Sequence, residues 1–308
     1  MAERELIARH LAPLATSPAA RGLADDAAVW TPPLGRQLVF THDVLAAGIH
    51  YLPDDPASDV AWKLLAVNLS DLAGMAATPA GVLLGLGLSA GEDAAWQAEF
   101  VAGLGRALDR FGVALWGGDT VTGLERAVLG LTAIGWAEPG RVLSRAGARA
   151  GDGLWVSGTI GDAGLGLAVA RGTAPFDKAL LNRFRRPTPR LALGQVLGGV
   201  ASAGMDVSDG LLIDADRLAQ ASGVGLAIAL DAVPLGVPAA GHDDLLARVT
   251  AGDDYELLFT APAGVDVAAL AGATPVTCIG EVVAGSGLAL TYRGQPMPLP
   301  ARLGWEHA

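Results

Sequence analysis

Several short motifs place an aspartate beside a small or hydroxyl residue at the end of an apolar segment. They are Asp25-Asp26 after Ala24, Thr41-His42-Asp43, Ser70-Asp71, Gly117-Gly118-Asp119-Thr120, Asp206-Val207-Ser208-Asp209-Gly210 and Gly252-Asp253-Asp254. Hard divalent cations such as Mg²⁺ take oxygen ligands, commonly a few carboxylates together with phosphate oxygens and water. Carboxylates gathered in one dry cleft repel one another, by about 4 kcal/mol for two unit charges ~4 Å apart at an effective dielectric of ~20. Such a group persists only where cations neutralise it, so the pattern points to a metal-bridged polyphosphate site. A blander reading stands beside it, because Asp next to Gly is common turn chemistry and Asp or Ser ahead of a helix is a cap. Asp71 departs from that reading. It falls inside an expected helix between Leu69 and Leu72, on the same face as Asn68, where a buried polar pair needs a partner. Asp206-Val207-Ser208-Asp209 alternates acid, apolar, hydroxyl and acid at a strand end. His50 taken alone reads as a structural histidine.

The usual signatures of other chemistries are missing. Lysine occurs only at Lys63 and Lys178, so no Walker A loop can be written. No G-x-G-x-x-G follows a strand: Gly164 and Gly166 come near, but position 169 is valine. There is no H-E-x-x-H and no G-x-S-x-G. Lys plus Arg total 21 against 32 Asp plus Glu, a net charge of −11, which gives no long-range basic field for nucleic acid or an anionic membrane. Cys278 is the only cysteine, which excludes an intrachain disulfide and fits a reducing cytoplasm.

The 308 residues suffice for about two domains, and 51% hydrophobic residues supply two cores. The mean hydropathy of +0.40 calls for a membrane check. The longest uncharged stretch, Leu72 to Gly91, is broken by Pro79 and several glycines and reads as a helix end, a turn and a buried strand over Val82–Leu88 rather than a membrane span. The N-terminal residues lack the continuous apolar core of a signal peptide.

Helical and strand-like segments alternate throughout, an α/β pattern. Residues 3–15 read as an amphipathic helix, and Ala27–Trp30 and Gln37–Leu45 as strands. Ser58 is the expected N-cap of a helix reaching about Ala76. A helix over Asp93–Phe111 and strands over Val113–Trp116 and Arg126–Ala137 follow. The turn cluster Glu138-Pro139-Gly140 places a domain boundary, giving domains 1–138 and 139–308. In the second, a strand at Leu154–Ser157 leads through a glycine-rich turn to a helix ending near Arg171. Two helices fill 176–200, strand Met205–Val207 feeds helix Leu211–Ala221, and strands recur near 225–230, 255–260, 276–283 and 287–292. A faint echo links Ser70-Asp71 with Ser208-Asp209 and Asp25-Asp26 with Asp253-Asp254.

The order of the motifs carries more than any one of them. Ala-Asp-Asp-Ala-Ala-Val from Ala24, Thr-His-Asp-Val-Leu-Ala-Ala-Gly-Ile-His from Thr41, Ala-Trp-Lys-Leu-Leu-Ala-Val-Asn-Leu-Ser-Asp-Leu-Ala from Ala61 and Gly-Gly-Asp-Thr from Gly117 resemble the N-terminal half of thiamine-monophosphate kinases, in the PurM-like superfamily. Ser-Arg-Ala-Gly-Ala, Ser-Gly-Thr-Ile-Gly-Asp, Arg-Pro-Thr-Pro-Arg, Asp-Val-Ser-Asp-Gly-Leu and Gly-Asp-Asp-Tyr-Glu-Leu-Leu-Phe resemble the C-terminal half. The resemblance runs from about residue 22 to Trp305.

It implies a two-domain PurM-like α/β (α+β) fold, with an N-terminal domain that binds ATP and Mg²⁺ and pairs in a homodimer, then a C-terminal α/β domain. It further implies Mg²⁺ ligands at Asp26, Thr41, Asp43, Asp71, Asp119, Asp206 and Asp209, with Asp71, Asp119 and Asp209 central to catalysis. ATP contacts would come from Gly118, Asp119, Arg145 and Ser208. His50, Asp253 and Trp305 would face thiamine monophosphate. Three positions depart from the family pattern: Ala24 where Gly is usual, His42 where Thr is common, and Asp253 where Glu is usual. Sister PurM-like enzymes are the rival reading, but a selenophosphate synthetase would call for an early Cys and the hydrogenase-maturation dehydratase for a Cys-bearing tail. A non-catalytic nucleotide sensor is the alternative of another class.

Overall fold

The computed structural model describes residues 3–306. The chain forms two compact units, one comprising the residues up to Leu72 with Thr78–Pro139, the other Ala73–Ala77 with the chain from Gly140 onward. No helix among the described residues is long and apolar enough to cross a membrane.

The first unit opens with a short helix α1 (Glu3–Leu6), continued by a π-turn over Ile7–Leu11 and a 3₁₀ turn over Ala12–Leu14. The expected single helix is thus helical but irregular. Pro13, which lacks an N–H, falls where the pitch tightens. Strand β1 (Gln37–Ala46) is followed by α2 (Ala57–Gly74), β2 (Thr78–Ser89), α3 (Ala94–Phe111), β3 (Ala114–Leu124) and β4 (Val128–Ala137). The strands form one sheet in the order β1-β4-β2-β3. β4 lies antiparallel to β1 and to β2, and β2 runs parallel to β3. α2 is buried on nearly every face, with Ala61, Leu64, Leu65, Ala66, Leu69 and Leu72 fully buried and the polar Lys63, Asn68 and Ser70 buried beside them. α3 is capped by Asp93, whose carboxylate accepts the Trp96 N–H at 2.9 Å.

Two expectations fail here for local reasons. Ala27–Trp30 form no strand: the Val29 N–H bonds back to the Ala19 carbonyl, Trp30 packs on Trp116 with ring centroids 5.0 Å apart, and Pro32-Pro33 follow. Ser58 is not the cap of α2, which begins at Ala57 and ends at Gly74. Glu99 of α3 takes the Ser58 hydroxyl instead, at 3.0 Å.

The second unit runs β5 (Gly153–Ser157), α4 (Asp162–Ala170), α5 (Lys178–Arg185), α6 (Leu191–Leu197), β6 (Ala203–Val207), α7 (Leu211–Ser222), β7 (Gly225–Ala229), α8 (His242–Val249), β8 (Glu256–Ala261), α9 (Val267–Leu270), β9 (Val276–Val283), β10 (Gly287–Tyr292) and β11 (Gln295–Met297). Its seven strands form a mixed sheet in the order β11-β10-β7-β9-β5-β8-β6, with β10 and β7 the parallel pair. One core gathers Leu154, Val156, Leu212, Leu226, Leu258 and Ile279. Every residue of β6 and of β8 is buried, including the polar Asp206, Glu256 and Thr260, so neither strand shows an alternation of buried and exposed positions.

Candidate active site

In the first unit β1 sends alternate side chains to opposite sides. Thr41 and Asp43 share the side facing α2, where the Thr41 hydroxyl donates to the Asp71 carboxylate. The Asp43 N–H donates to Asn68 Oδ1 at 3.0 Å, and Asn68 Nδ2 donates to the Leu64 carbonyl at 2.9 Å. Asn68 thereby ties β1 to α2. Phe40 and His42, on the other side of β1, line a cavity of about 710 Å³ together with Asp25, Asp26, Trp116, Gly118 and Asp119. Gly118 is required there: a Cβ would lie 2.0 Å from the Leu84 carbonyl oxygen. Asp119 Oδ1 accepts the Thr120 N–H at 2.9 Å. The structure therefore gathers Asp26, Gly118 and Asp119 at the cavity, and Thr41, Asp43 and Asp71 between β1 and α2.

His50 sits in the turn after β1. Its Nδ1 accepts the Ala46 N–H at 3.0 Å, so the neutral ring carries its proton on Nε2. The buried Lys63 ammonium donates to the His50 carbonyl at 3.0 Å and fixes the turn.

In the second unit β6 delivers the buried Asp206 and then the loop Ser208-Asp209-Gly210 at the start of α7. Distant segments converge on this loop. The Asp253 N–H donates to the Ser208 carbonyl at 2.7 Å, the Tyr255 N–H to the Val207 carbonyl at 2.8 Å, and the Trp305 N–H to the Asp209 carbonyl at 2.8 Å. Asp253 and Tyr255 both take positive φ, +63° and +51°, and the Tyr255 hydroxyl donates to Asp253 Oδ1 at 3.1 Å. From α7, the fully buried Asp214 accepts the N–H groups of Ser208 and Asp209, each at 3.1 Å. Burial pushes the Asp214 carboxyl up to about 6, against the Asp209 N–H and Arg217, which favour its charged form. Arg217 Nη1 reaches Asp209 Oδ2 at 2.5 Å and Asp214 Oδ1 at 2.8 Å. Burial disfavours the guanidinium charge, but these bonds outweigh it and hold Arg217 above its usual value.

Arg145 is placed elsewhere in the same unit. Its carbonyl accepts the Ser222 hydroxyl at 2.8 Å, at the C-terminal end of α7, whereas Ser208 lies at the N-terminal end. Twelve helical residues separate those ends by about 18 Å.

The donors at both loci are hard oxygens, which suits Mg²⁺. No group of three or more His, Cys, Asp or Glu residues among the described residues forms a metal cage by itself. The Thr41–Asp43–Asp71 set, with two carboxylates and a hydroxyl, matches the habit of Mg²⁺, which binds through one or two carboxylates and completes its shell with phosphate oxygens and water.

Residues 24–137 match the family described as AIR synthase related protein, N-terminal domain, and residues 149–293 match its C-terminal domain. The chain is 41% identical to the thiamine-monophosphate kinase of Caulobacter vibrioides over 99% of its own length and 90% of that protein's. The chain belongs to the thiamine-monophosphate kinase family. Among solved structures of that family, the enzyme from Stenotrophomonas maltophilia K279a superposes with a TM-score of 0.79 at 38% identity, covering 89% of this chain and 91% of the other. AaThiL complexed with AMPPCP and TMP superposes at 0.80 and 31% identity, covering 92% and 91%. The two-domain PurM-like α/β fold expected from the motifs is the fold of these thiamine-monophosphate kinases.

For a thiamine-monophosphate kinase family member the motif series leaves some contributors unnamed. Asp214 and Arg217, three apart on one face of α7, carry an available signal in their spacing. Tyr255, which orients Asp253, has none, because its role depends on a positive φ and a contact across two residues.

Proposed function

We propose that the chain is a Mg²⁺-dependent kinase that transfers the terminal phosphoryl group of ATP in line onto the phosphate of thiamine monophosphate. The products are thiamine diphosphate and ADP, the last step in making thiamine diphosphate. The observation that carries the reading is the convergence of Asp253 and Trp305 on one loop, through main-chain bonds to Ser208 and Asp209. Residues expected to face the substrate are thus locked to residues expected to face the nucleotide. Relatives bearing the kinase name, and AaThiL with AMPPCP and TMP, support the substrate pair.

The acceptor oxygen belongs to a phosphate already anionic at neutral pH, so no general base is needed. The barrier is the approach of one anion to another, and positioning and electrostatics lower it. Bound Mg²⁺ supplies charge neutralisation for the phosphates. Asp26, Thr41, Asp43, Asp71, Asp119, Asp206 and Asp209 would hold it, with Gly118, Asp119 and Ser208 contacting ATP. His50 presents Nε2–H as a donor to the substrate phosphate. The Trp305 indole, 53% exposed, offers a flat face to the cationic thiazolium, and Asp253 a carboxylate.

Two further parts of the reading concern assembly and compartment. Leu38, Phe40, Val44, Leu83, Val121 and Val128 share one face of the first sheet and are 36–62% exposed, an apolar patch that supports a homodimer. Cys278 is exposed and free, as a reducing cytoplasm permits.

The test incubates the protein with ATP, Mg²⁺ and thiamine monophosphate and separates products by chromatography. We expect equimolar thiamine diphosphate and ADP, falling at least about a hundredfold in Asp71→Asn with an unchanged melting curve. The amide that replaces the carboxylate in this variant retains an acceptor for Thr41, so only the charge is lost. Binding of ATP without any thiamine diphosphate would reject the reading in favour of a sensor.

A further inference from the structure

The Arg217–Asp209 bond is not needed to build the loop it touches. The loop's main chain is already held by Asp214 Oδ2 from below and by Asp253, Tyr255 and Trp305 from other segments. Arg217 also has a sufficient structural partner in Asp214, one turn back on the same helix. What remains for the additional bond is the charge on the Asp209 side chain. A single nitrogen, Nη1, spans both carboxylates, so two anions share one cation and the group keeps a net negative charge. Asp209 and Arg217 are the accessible members, with side chains 28% and 35% exposed, while Asp214 is fully buried.

We propose that Arg217 is a place-holder cation, orienting and neutralising the Asp209 carboxylate until a divalent cation displaces it, and that Asp214 is the positioning residue that keeps both the arginine and the Ser208–Asp209 main chain in place. The inference rests on the reading of Asp209 as a Mg²⁺ ligand. Displacement needs little rearrangement, because Arg217 retains its 2.8 Å bond to Asp214 when it lets go of Asp209. The same carboxylate cannot serve a guanidinium and a hard cation at full strength, so the two compete.

The test titrates the nucleotide-free full chain with Mn²⁺ as the probe, following free Mn²⁺ by electron paramagnetic resonance. Arg217→Gln should bind Mn²⁺ about fivefold more tightly than the parent, the scale of a partly exposed charge pair. In an Asp209→Asn background the same substitution should change nothing, which ties the gain to that carboxylate. Unchanged or weaker binding in Arg217→Gln, or an equal gain without Asp209, overturns the proposal. Amide hydrogen exchange separates the two roles. Exchange at Ser208 and Asp209 should speed up about tenfold in Asp214→Asn and stay at the parent rate in Arg217→Gln. Acceleration in both variants would make Arg217 part of the loop's scaffold and overturn the place-holder role. Should Arg217→Gln fail to fold, Arg217→Lys replaces it: one ammonium serves two carboxylates less well than the guanidinium, so Mn²⁺ affinity rises by a smaller factor, and no rise overturns the proposal. None of these readouts needs turnover. A chain that makes no thiamine diphosphate but gains Mn²⁺ affinity in Arg217→Gln would lose the kinase reading and keep this one.

Discussion

The main-chain N–H of Asp253 donates to the carbonyl oxygen of Ser208 at 2.7 Å, and Asp253 makes that bond from the left-handed region, at φ +63°. Asn and Asp are the non-glycine residues that enter this region most readily. Asp253→Asn therefore preserves the backbone and removes only the charge. We expect the KM for thiamine monophosphate to rise about tenfold with kcat and the KM for ATP little changed, the signature of lost uniform binding. Asp253→Ala removes the charge and adds roughly 1 kcal/mol of backbone strain, so it should also lower the melting temperature by about 2–4 °C. Steady-state kinetics and melting curves on the two variants check both parts. An unchanged KM in Asp253→Asn would remove Asp253 from the substrate contacts.

The neighbouring Asp254 gives a pH prediction. It is fully buried, and burial pushes its carboxyl up to about 7 against the Gly161 and Ala163 N–H groups and the charge of Arg183, which favour ionisation. Between about pH 4 and 7 the unfolded chain releases this proton while the folded chain keeps it, so this group's contribution to stability falls as pH rises through that window and is flat above it. Asp254→Asn cannot ionise. It loses the second acceptor, so it should melt below the parent at pH 5, and the two curves should converge by about 5 °C by pH 8. Parallel curves across pH 5–8 would contradict the raised carboxyl.

How much of the fold and the site is legible in the sequence depends on what each feature rests upon. α3 declares itself through Asp93 and its periodic apolar residues, and β9 and β10 stand within a residue of the expected strands. The apolar pattern ends β3 at Trp116, but the strand continues to Leu124, through exposed Gly118, Asp119 and Val121 that have no such pattern. Its pairing with β2, Leu84 opposite Gly118 and Leu86 opposite Thr120, holds it in the sheet. α8, with two aspartates in its first turn, is hidden among polar residues. At the site, Asn68 and Asp71 sharing a helix face is visible in their spacing, and the structure gives both a partner on β1. The convergence of Asp253, Tyr255 and Trp305 on residues 207–209 is not, because main-chain bonds between distant segments leave no trace in residue type.

Glu256 supplies the last prediction, again from contacts that spacing does not reveal. Its carboxylate is fully buried at the start of β8. Arg190 grips it with both ends of the guanidinium, Nε to Oε2 at 2.6 Å and Nη2 to Oε1 at 2.5 Å. Arg183 Nη2 adds 2.9 Å to Oε1, and the Ser157 hydroxyl donates to Oε2 at 2.6 Å. Ser157 Oγ also accepts the Leu257 N–H at 2.8 Å, so the cluster fastens β5 to β8. With two cations on one carboxylate, the carboxylate is the member that cannot be spared. Glu256→Gln leaves two guanidinium groups facing a neutral amide in a dry site, a loss of the kind that costs about 3–5 kcal/mol. Arg190→Met leaves Glu256 still paired with Arg183 and should cost less. Gly158 tests the same centre by crowding: at φ +56°, a Cβ there would lie 2.1 Å from Glu256 Oε1, so Gly158→Ala must push the carboxylate off its partners. The expected order of melting temperatures is parent, then Arg190→Met, then Gly158→Ala and Glu256→Gln together at the bottom. If Arg190→Met melts as low as Glu256→Gln, the arginine rather than the carboxylate is the hub of the cluster.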